Sequence, residues 1–185
     1  PWVYAALGAL MHKRGQNAQA QGVYEQALKA FPIMPGLYDG MAEVLVAQGD
    51  TRRAQNLLEE AVRLSPLSVR RQSTLGKLAL ENEDFESASK AFRHAVNQGQ
   101  SSRYKDAENN LGLVQALMSK NAGFGLDART RVEINTTLSE VAKENPEDQG
   151  LQVRARMMKA ASLQQAGDPE TAGKLTEQAL SLIHI

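Results

Sequence analysis

A repeat of about 34 residues constrains this chain more than any other feature. Tyr4, Leu7, Gly8, Met11, Ala20, Tyr24, Ala27 and Pro32 recur one period later as Tyr38, Met41, Ala42, Leu45, Ala54, Leu58, Ala61 and Pro66. A third copy, at the same interval, reads Gln72, Leu75, Gly76, Ala79, Ala88, Phe92, Ala95 and Gln100. Within each half-copy the apolar residues fall three and four apart, which predicts an amphipathic helix. The pairs Gly15-Gln16, Gly49-Asp50 and Glu83-Asp84 mark the turn between the halves. Gly8, Ala20 and Ala27 are small where two helix backbones approach closely, and Pro32 and Pro66 stop the second helix of a pair. One such pair cannot bury its apolar face alone, so successive pairs must stack. The expected fold is all-α, about ten helices in five antiparallel pairs.

These eight anchor positions at a period of 34 resemble the tetratricopeptide repeat (TPR) family, closely over residues 1 to about 100 and loosely beyond. The resemblance implies a right-handed α-solenoid, the TPR-like superhelix, whose first helices line a concave face that holds other proteins or peptides. Repeats are expected at about 1–34, 35–68, 69–102, 105–148 and 149–185, forming a single solenoid. The fourth is irregular. Leu111 and Gly112 restart the first-helix pattern two residues late. Ile134, Leu138, Val141 and Pro146 then carry the second helix, after an inserted loop at 119–128 about ten residues longer than a standard turn. Asp127 is placed to cap the next helix. In the fifth repeat Gly167-Asp168 is the turn, Pro169 a first helical residue, and Ala172 and Ala179 the small contacts. The chain opens at Pro1 on an already helical pattern and closes on Ile183-His184-Ile185, apolar where a polar tail is expected. We read it as a piece of a longer protein, with the nativeness of those last residues open.

Composition removes several function classes. Lys plus Arg number 21 and Asp plus Glu number 21, for a net charge of zero. That argues against the cationic footprint that nucleic acid requires. With no cysteine, disulfides, zinc–thiolate centres and cysteine nucleophiles are excluded, and a reducing cytoplasm is a compatible setting. No apolar run approaches the roughly 18 residues of a membrane span. His12, His94 and His184 are far apart and suggest no metal site. Carboxylate pairs such as Glu59-Glu60 read as solvated helix faces, and Gly123-Phe124-Gly125 lacks the Lys-Ser/Thr of a phosphate loop. No catalytic residue, cofactor or metal is expected.

Function should therefore sit on the inward face of the first helices. Counting along them selects Trp2, Ala5, Ala9, His12 and Lys13, then Asp39, Glu43 and Val46, then Arg70, Ser73, Lys77 and Glu81. The fourth repeat adds Asp106, Asn109, Asn110 and Leu113, expected to expose amides able to hydrogen-bond a peptide backbone. The fifth adds Arg154 and Met157. Phe124 is a candidate protruding anchor of a docking loop. Co-chaperones of this family that grip a C-terminal Glu-Glu-Val-Asp tail need Lys, Asn, Asn, Lys and Arg at positions held here by Ala5, Ala9, Gly40, Arg70 and Thr74. Only Arg70 is compatible, so that clamp is not expected.

A second resemblance is to bacterial response regulators in which a receiver domain precedes TPR repeats. Residues 65–72 followed by 75–79, and residues 90–96 leading to Glu108-Asn109-Asn110-Leu111, look like that group. The resemblance implies a non-enzymatic, cytoplasmic output domain that captures a partner protein, possible homo-oligomerisation included. Two other settings stay open: a scaffold for envelope assembly, such as pilus or lipopolysaccharide machinery, with a signal or anchor upstream, or an arm of a larger enzyme.

Overall fold

The computed structural model describes residues 1–100 and 106–183. Among them are ten helices and no strand, as the periodicity predicts. The expected limits at 102 and 105, and His184 with Ile185, lie outside the described residues. The chain divides into two compact units, Pro1–Asp84 and Phe85–Ile185. The division falls inside the third repeat, between its two helices.

The first unit contains α1 (Trp2–Lys13), α2 (Asn17–Ala30), α3 (Pro35–Ala47), α4 (Thr51–Leu64) and α5 (Val69–Glu81). α1 packs on α2 and α3, α3 on α4, and α4 on α5. Its core is the row of repeat anchors: Ala20, Tyr24, Ala27, Met41, Ala42, Leu45, Ala54, Leu58 and Ala61 are all buried. Helix ends follow from side-chain chemistry. Asp50 and Ser68 accept from the backbone N–H three residues on, at Arg53 and Arg71. The tight turns need a left-handed residue, which Gly15 (φ 76°), Gly49 (φ 82°) and, in the second unit, Gly167 (φ 85°) supply without steric cost. The third repeat puts Glu83 there, at φ 61°.

Two polar ties replace apolar anchors. At the fourth position of the repeat, counting Pro1 as the first, the Tyr38 hydroxyl donates to the Pro32 carbonyl (2.8 Å). One repeat later Gln72 Nε2 donates to the Pro66 carbonyl (3.2 Å). A glutamine thus does the job of a tyrosine by tying down the proline turn. Buried Gln55 on α4 donates to Asp84 (2.7 Å) and accepts from Asn82 (2.7 Å), which fixes the turn after α5.

The second unit contains α6 (Phe85–Gly99), α7 (Ala107–Lys120), α8 (Ala128–Glu144), α9 (Gln149–Gln165) and α10 (Pro169–Ser181). α7 packs on α6, α8 and α9, and is buried along most of its length. Phe92, Ile134, Leu138 and Val141 are sealed inside. Asp127 caps α8 by accepting from Thr130 N (3.0 Å), and Asp168 caps α10 ahead of Pro169. The Thr130 hydroxyl and backbone N–H hold the Asp127 carboxyl below its ordinary range.

The fourth repeat departs from expectation in two ways. Ser119 and Lys120 belong to α7, so the connection to α8 runs only over 121–127. It is seven residues against three in the turn between α3 and α4, not about ten longer. The register also differs. A Cβ on Gly40 would lie 2.4 Å from the Tyr24 hydroxyl, and one on Gly112 would lie 2.6 Å from the Phe92 ring. The two glycines do the same job, but the step from Phe92 to Gly112 is four positions longer than the step from Tyr24 to Gly40. The shift is therefore four residues, not two. Leu113 and Val114, rather than Leu111 and Gly112, take the seventh and eighth repeat positions.

Candidate interaction groove

In the first unit α1, α3 and α5 border an open groove of 790 Å³. One wall is made of small residues. Ala5 and Ala9 come from α1, and Gly36 and Gly40 from α3. Their lack of bulk follows from the packing beneath: the Tyr24 ring fits between Gly8 and Gly40, and its hydroxyl donates to the Ala5 carbonyl (3.3 Å). Burial, with the charge of Glu43 adding to it, raises the Tyr24 pKa, so the phenol stays protonated. The opposite wall is α5, with Arg70, Arg71, Thr74, Lys77 and Glu81.

The charges divide into two groups. Arg71 Nε lies 2.9 Å from both oxygens of Asp39 and ties α5 to α3. Both side chains are largely covered, so this pair is spent on structure. Arg70, Lys77, Glu43 and Glu81 are exposed, and among the described residues no ion pair engages them. A ligand would therefore meet a slot of small residues beside two exposed cations and two exposed carboxylates. His12 also lines the groove, with Nδ1 bonded to Asn17 Oδ1 (2.8 Å).

Of the residues selected from the sequence, the groove brings together Ala5, Ala9, His12, Asp39, Glu43, Val46, Arg70, Lys77 and Glu81. It does not include Trp2, which is 80% exposed, nor Lys13 or Ser73. The five positions compared with a carboxylate clamp, Ala5, Ala9, Gly40, Arg70 and Thr74, all line it. Counting along helices missed Tyr24 and Arg71. Gly36 and Gly40, one turn apart on the face of Asp39 and Glu43, were the available signal for the slot.

In the second unit the amides are a correction. Asn109 and Asn110 are 2% and 4% exposed, not solvent-facing, and Leu113 is 3% exposed. The four-residue shift explains it. It moves the two asparagines to the third and fourth repeat positions, which pack inward on α3 and α5 as Leu37 and Gln72 do. The exposed residues of α7 are Glu108, Gln115 and Lys120. Asp106 caps α7 by accepting from Glu108 N (2.9 Å). Arg154 makes a two-pronged pair with Glu108, with Nη2 to Oε2 at 2.9 Å, and that carboxylate raises the guanidinium pKa. Met157 is 41% exposed. Phe124 stands 93% exposed between two glycines of the α7–α8 connection. Among the described residues no group of three His, Asp or Glu could hold a metal ion. Nor is any helix there long and apolar enough to cross a membrane.

The comparisons agree with this architecture. The tetratricopeptide repeat family matches at residues 11–61 and 45–111, more than half of the chain. The protein belongs to the tetratricopeptide repeat family, whose members are generally non-catalytic protein-interaction scaffolds. No curated protein matches the sequence. Among solved structures, a MamA protein is similar with a TM-score of 0.77 at 17% identity, over 97% of this chain and 90% of that one. YrrB, described as a TPR protein with an unusual peptide-binding site, is similar at TM-score 0.75 and 19% identity, over 97% and 84%. MamA from Desulfovibrio magneticus RS-1 is similar at TM-score 0.72 and 15% identity, over 98% and 94%. At these identities the likeness concerns the fold.

Proposed function

We propose that the protein is a non-catalytic scaffold that holds a segment of a partner protein in the groove of its first unit. The observation that carries this reading is the open slot between α1, α3 and α5, walled on one side by small residues and edged by exposed Arg70, Lys77, Glu43 and Glu81, which no ion pair among the described residues engages. Small side chains leave room for a partner's apolar groups, and fixed charges select its register. Panning a displayed peptide library on the immobilised chain tests it. Peptides that bind should lose affinity at least tenfold for the Arg70→Glu, Lys77→Glu double variant, with helical content unchanged. Peptides held equally well by that variant do not use this groove, and the proposal fails.

The finer reading makes this chain the cytoplasmic output arm of a receiver-led signalling protein. It is supported by the resemblance of residues 65–72 with 75–79 and of residues 90–96 with 108–111, and by the absence of cysteine. Sequencing the gene upstream of Pro1 tests it. A receiver with its acidic pocket is the expected result; a signal peptide or membrane helix would move the protein to the envelope.

A further inference from the structure

Burying a polar group costs free energy unless a partner meets it. Among the described residues three side-chain oxygens are sealed from solvent without one: the Oδ1 atoms of Asn109, Asn110 and Asn135. The first two residues line one cavity. It measures 10 Å³, about the space of a single small ion or water, and lies within the second unit. α6 contributes Val96 and Gly99, α7 contributes Asn109 and Asn110, α8 contributes Glu140, and Asp106 closes it at the cap of α7. The chemistry of the lining is one-sided. It holds two carboxylates and two orphaned amide oxygens, and no Lys, Arg or His among the described residues lines it. Glu140 is half-buried, and among the described residues no ion pair engages it. Asp106 uses one oxygen to cap α7. The regular unit treats these repeat positions differently. Leu37 fills the third with an apolar side chain, and Tyr38 and Gln72 at the fourth each donate to a carbonyl. Asn109 and Asn110 instead present acceptors to one another's cavity.

We propose that this cavity is a cation site, taking a hard, oxygen-preferring divalent ion of the Ca²⁺ class through Asp106, Asn109, Asn110 and Glu140. Two carboxylates fall short of a cluster of three acids, and the amide oxygens supply the rest. A water brings only a pair of protons to four acceptor side chains, whereas a cation draws all four inward. Two carboxylates match a divalent charge. Ca²⁺ accepts about six to eight oxygens in a flexible shell, amide carbonyls and waters included, while Mg²⁺ demands a near-ideal octahedron. Asp106 is exposed, which gives the ion an entry and its remaining waters a place. The bound ion ties α7 to α8 across the irregular fourth repeat, so the site gives that repeat a fastening the regular ones do not need.

Calorimetric titration of the whole chain with calcium chloride at physiological salt tests this, together with thermal denaturation in Ca²⁺, in Mg²⁺ and in chelator. Wild type should bind one Ca²⁺ per chain. Its melting temperature should rise by several degrees in millimolar Ca²⁺ over chelator, because a ligand of the folded state stabilises it, and by much less in equal Mg²⁺. Glu140→Gln removes a charge with little change of shape. It should weaken Ca²⁺ binding at least tenfold with circular dichroism unchanged. If that variant does not fold, nuclear magnetic resonance of the wild type decides, since the side-chain amide signals of Asn109 and Asn110 should move on adding Ca²⁺. No heat and no change in melting at millimolar Ca²⁺ would mean that the cavity holds water alone, and the proposal fails. An equal response to Mg²⁺, undiminished binding by Glu140→Gln, or unmoved Asn109 and Asn110 signals would each overturn it as well.

Discussion

The two units apply one repeat with different strictness. In the first, the repeat spacing holds from α1 to α5, and each anchor meets the same kind of neighbour. In the second, four residues are added between the Phe92 ring and the Gly112 that receives it, and four more in the connection from α7 to α8. α9 is also four residues longer than α3. Four residues is close to one helical turn of about 3.6, so within α9 the added stretch brings the next side chain back to nearly the same face, whereas the other two additions fall between helices. The apolar contacts therefore survive while their numbering drifts. The face left over differs too. The first unit keeps a slot of alanine and glycine edged by exposed charges, whereas the second joins Glu108 to Arg154. The array takes four-residue additions, two between helices and one within α9, and keeps its buried contacts while its surface positions lose their alignment.

The largest effect that would test this contrast comes from Phe92, which is 1% exposed and fills the hollow over Gly112. Phe92→Ala should cost about 3–5 kcal/mol. Because repeats couple mainly to their neighbours, hydrogen exchange should rise in α6–α8 and much less in α1–α3. An even rise along the chain would mean that the two units open together. Next is overpacking in the regular unit. Ala54→Leu places a large side chain at a site with 0% exposure and should destabilise by roughly 1–3 kcal/mol; an unchanged melting temperature would remove Ala54 from the helix contact.

Glu83 gives a smaller effect of opposite sign. It holds the left-handed turn position that glycine holds in the other three turns of this type. Glu83→Gly should stabilise by about 0.5–1 kcal/mol, the relief of steric strain less the entropy of glycine, seen as a higher denaturation midpoint. The smallest effect is acid sensitivity of the second unit. Its Asp127 and Asp168 caps have carboxyls held below the ordinary value of 3.8 by Thr130 and Thr171. A lowered folded pKa adds stability above the unfolded value and loses it as pH falls through the folded one. Far-ultraviolet circular dichroism below pH 4 should show α8 and α10 fraying, and Asp127→Asn should flatten that dependence.

The class of fold was legible in the local pattern alone. The regular period, small residues at the eighth, 20th and 27th positions, and prolines after the second helices leave little but stacked helix pairs, because these choices act locally and repeat. Asp127 as a cap and Pro169 as a helix start were legible for the same reason. Most of the groove was legible too, since Asp39, Glu43, Arg70 and Lys77 fall on one face by counting alone. Which charges are drawn into ion pairs emerges from helix stacking. Arg71 and Asp39 are far apart in sequence and meet through helix stacking, while no ion pair among the described residues engages Arg70 or Lys77. Tertiary packing also decided the burial of Asn109 and Asn110. Their environment depends on a register set by which aromatic ring a glycine receives, and the separation of Phe92 from Gly112 is one that no local pattern specifies.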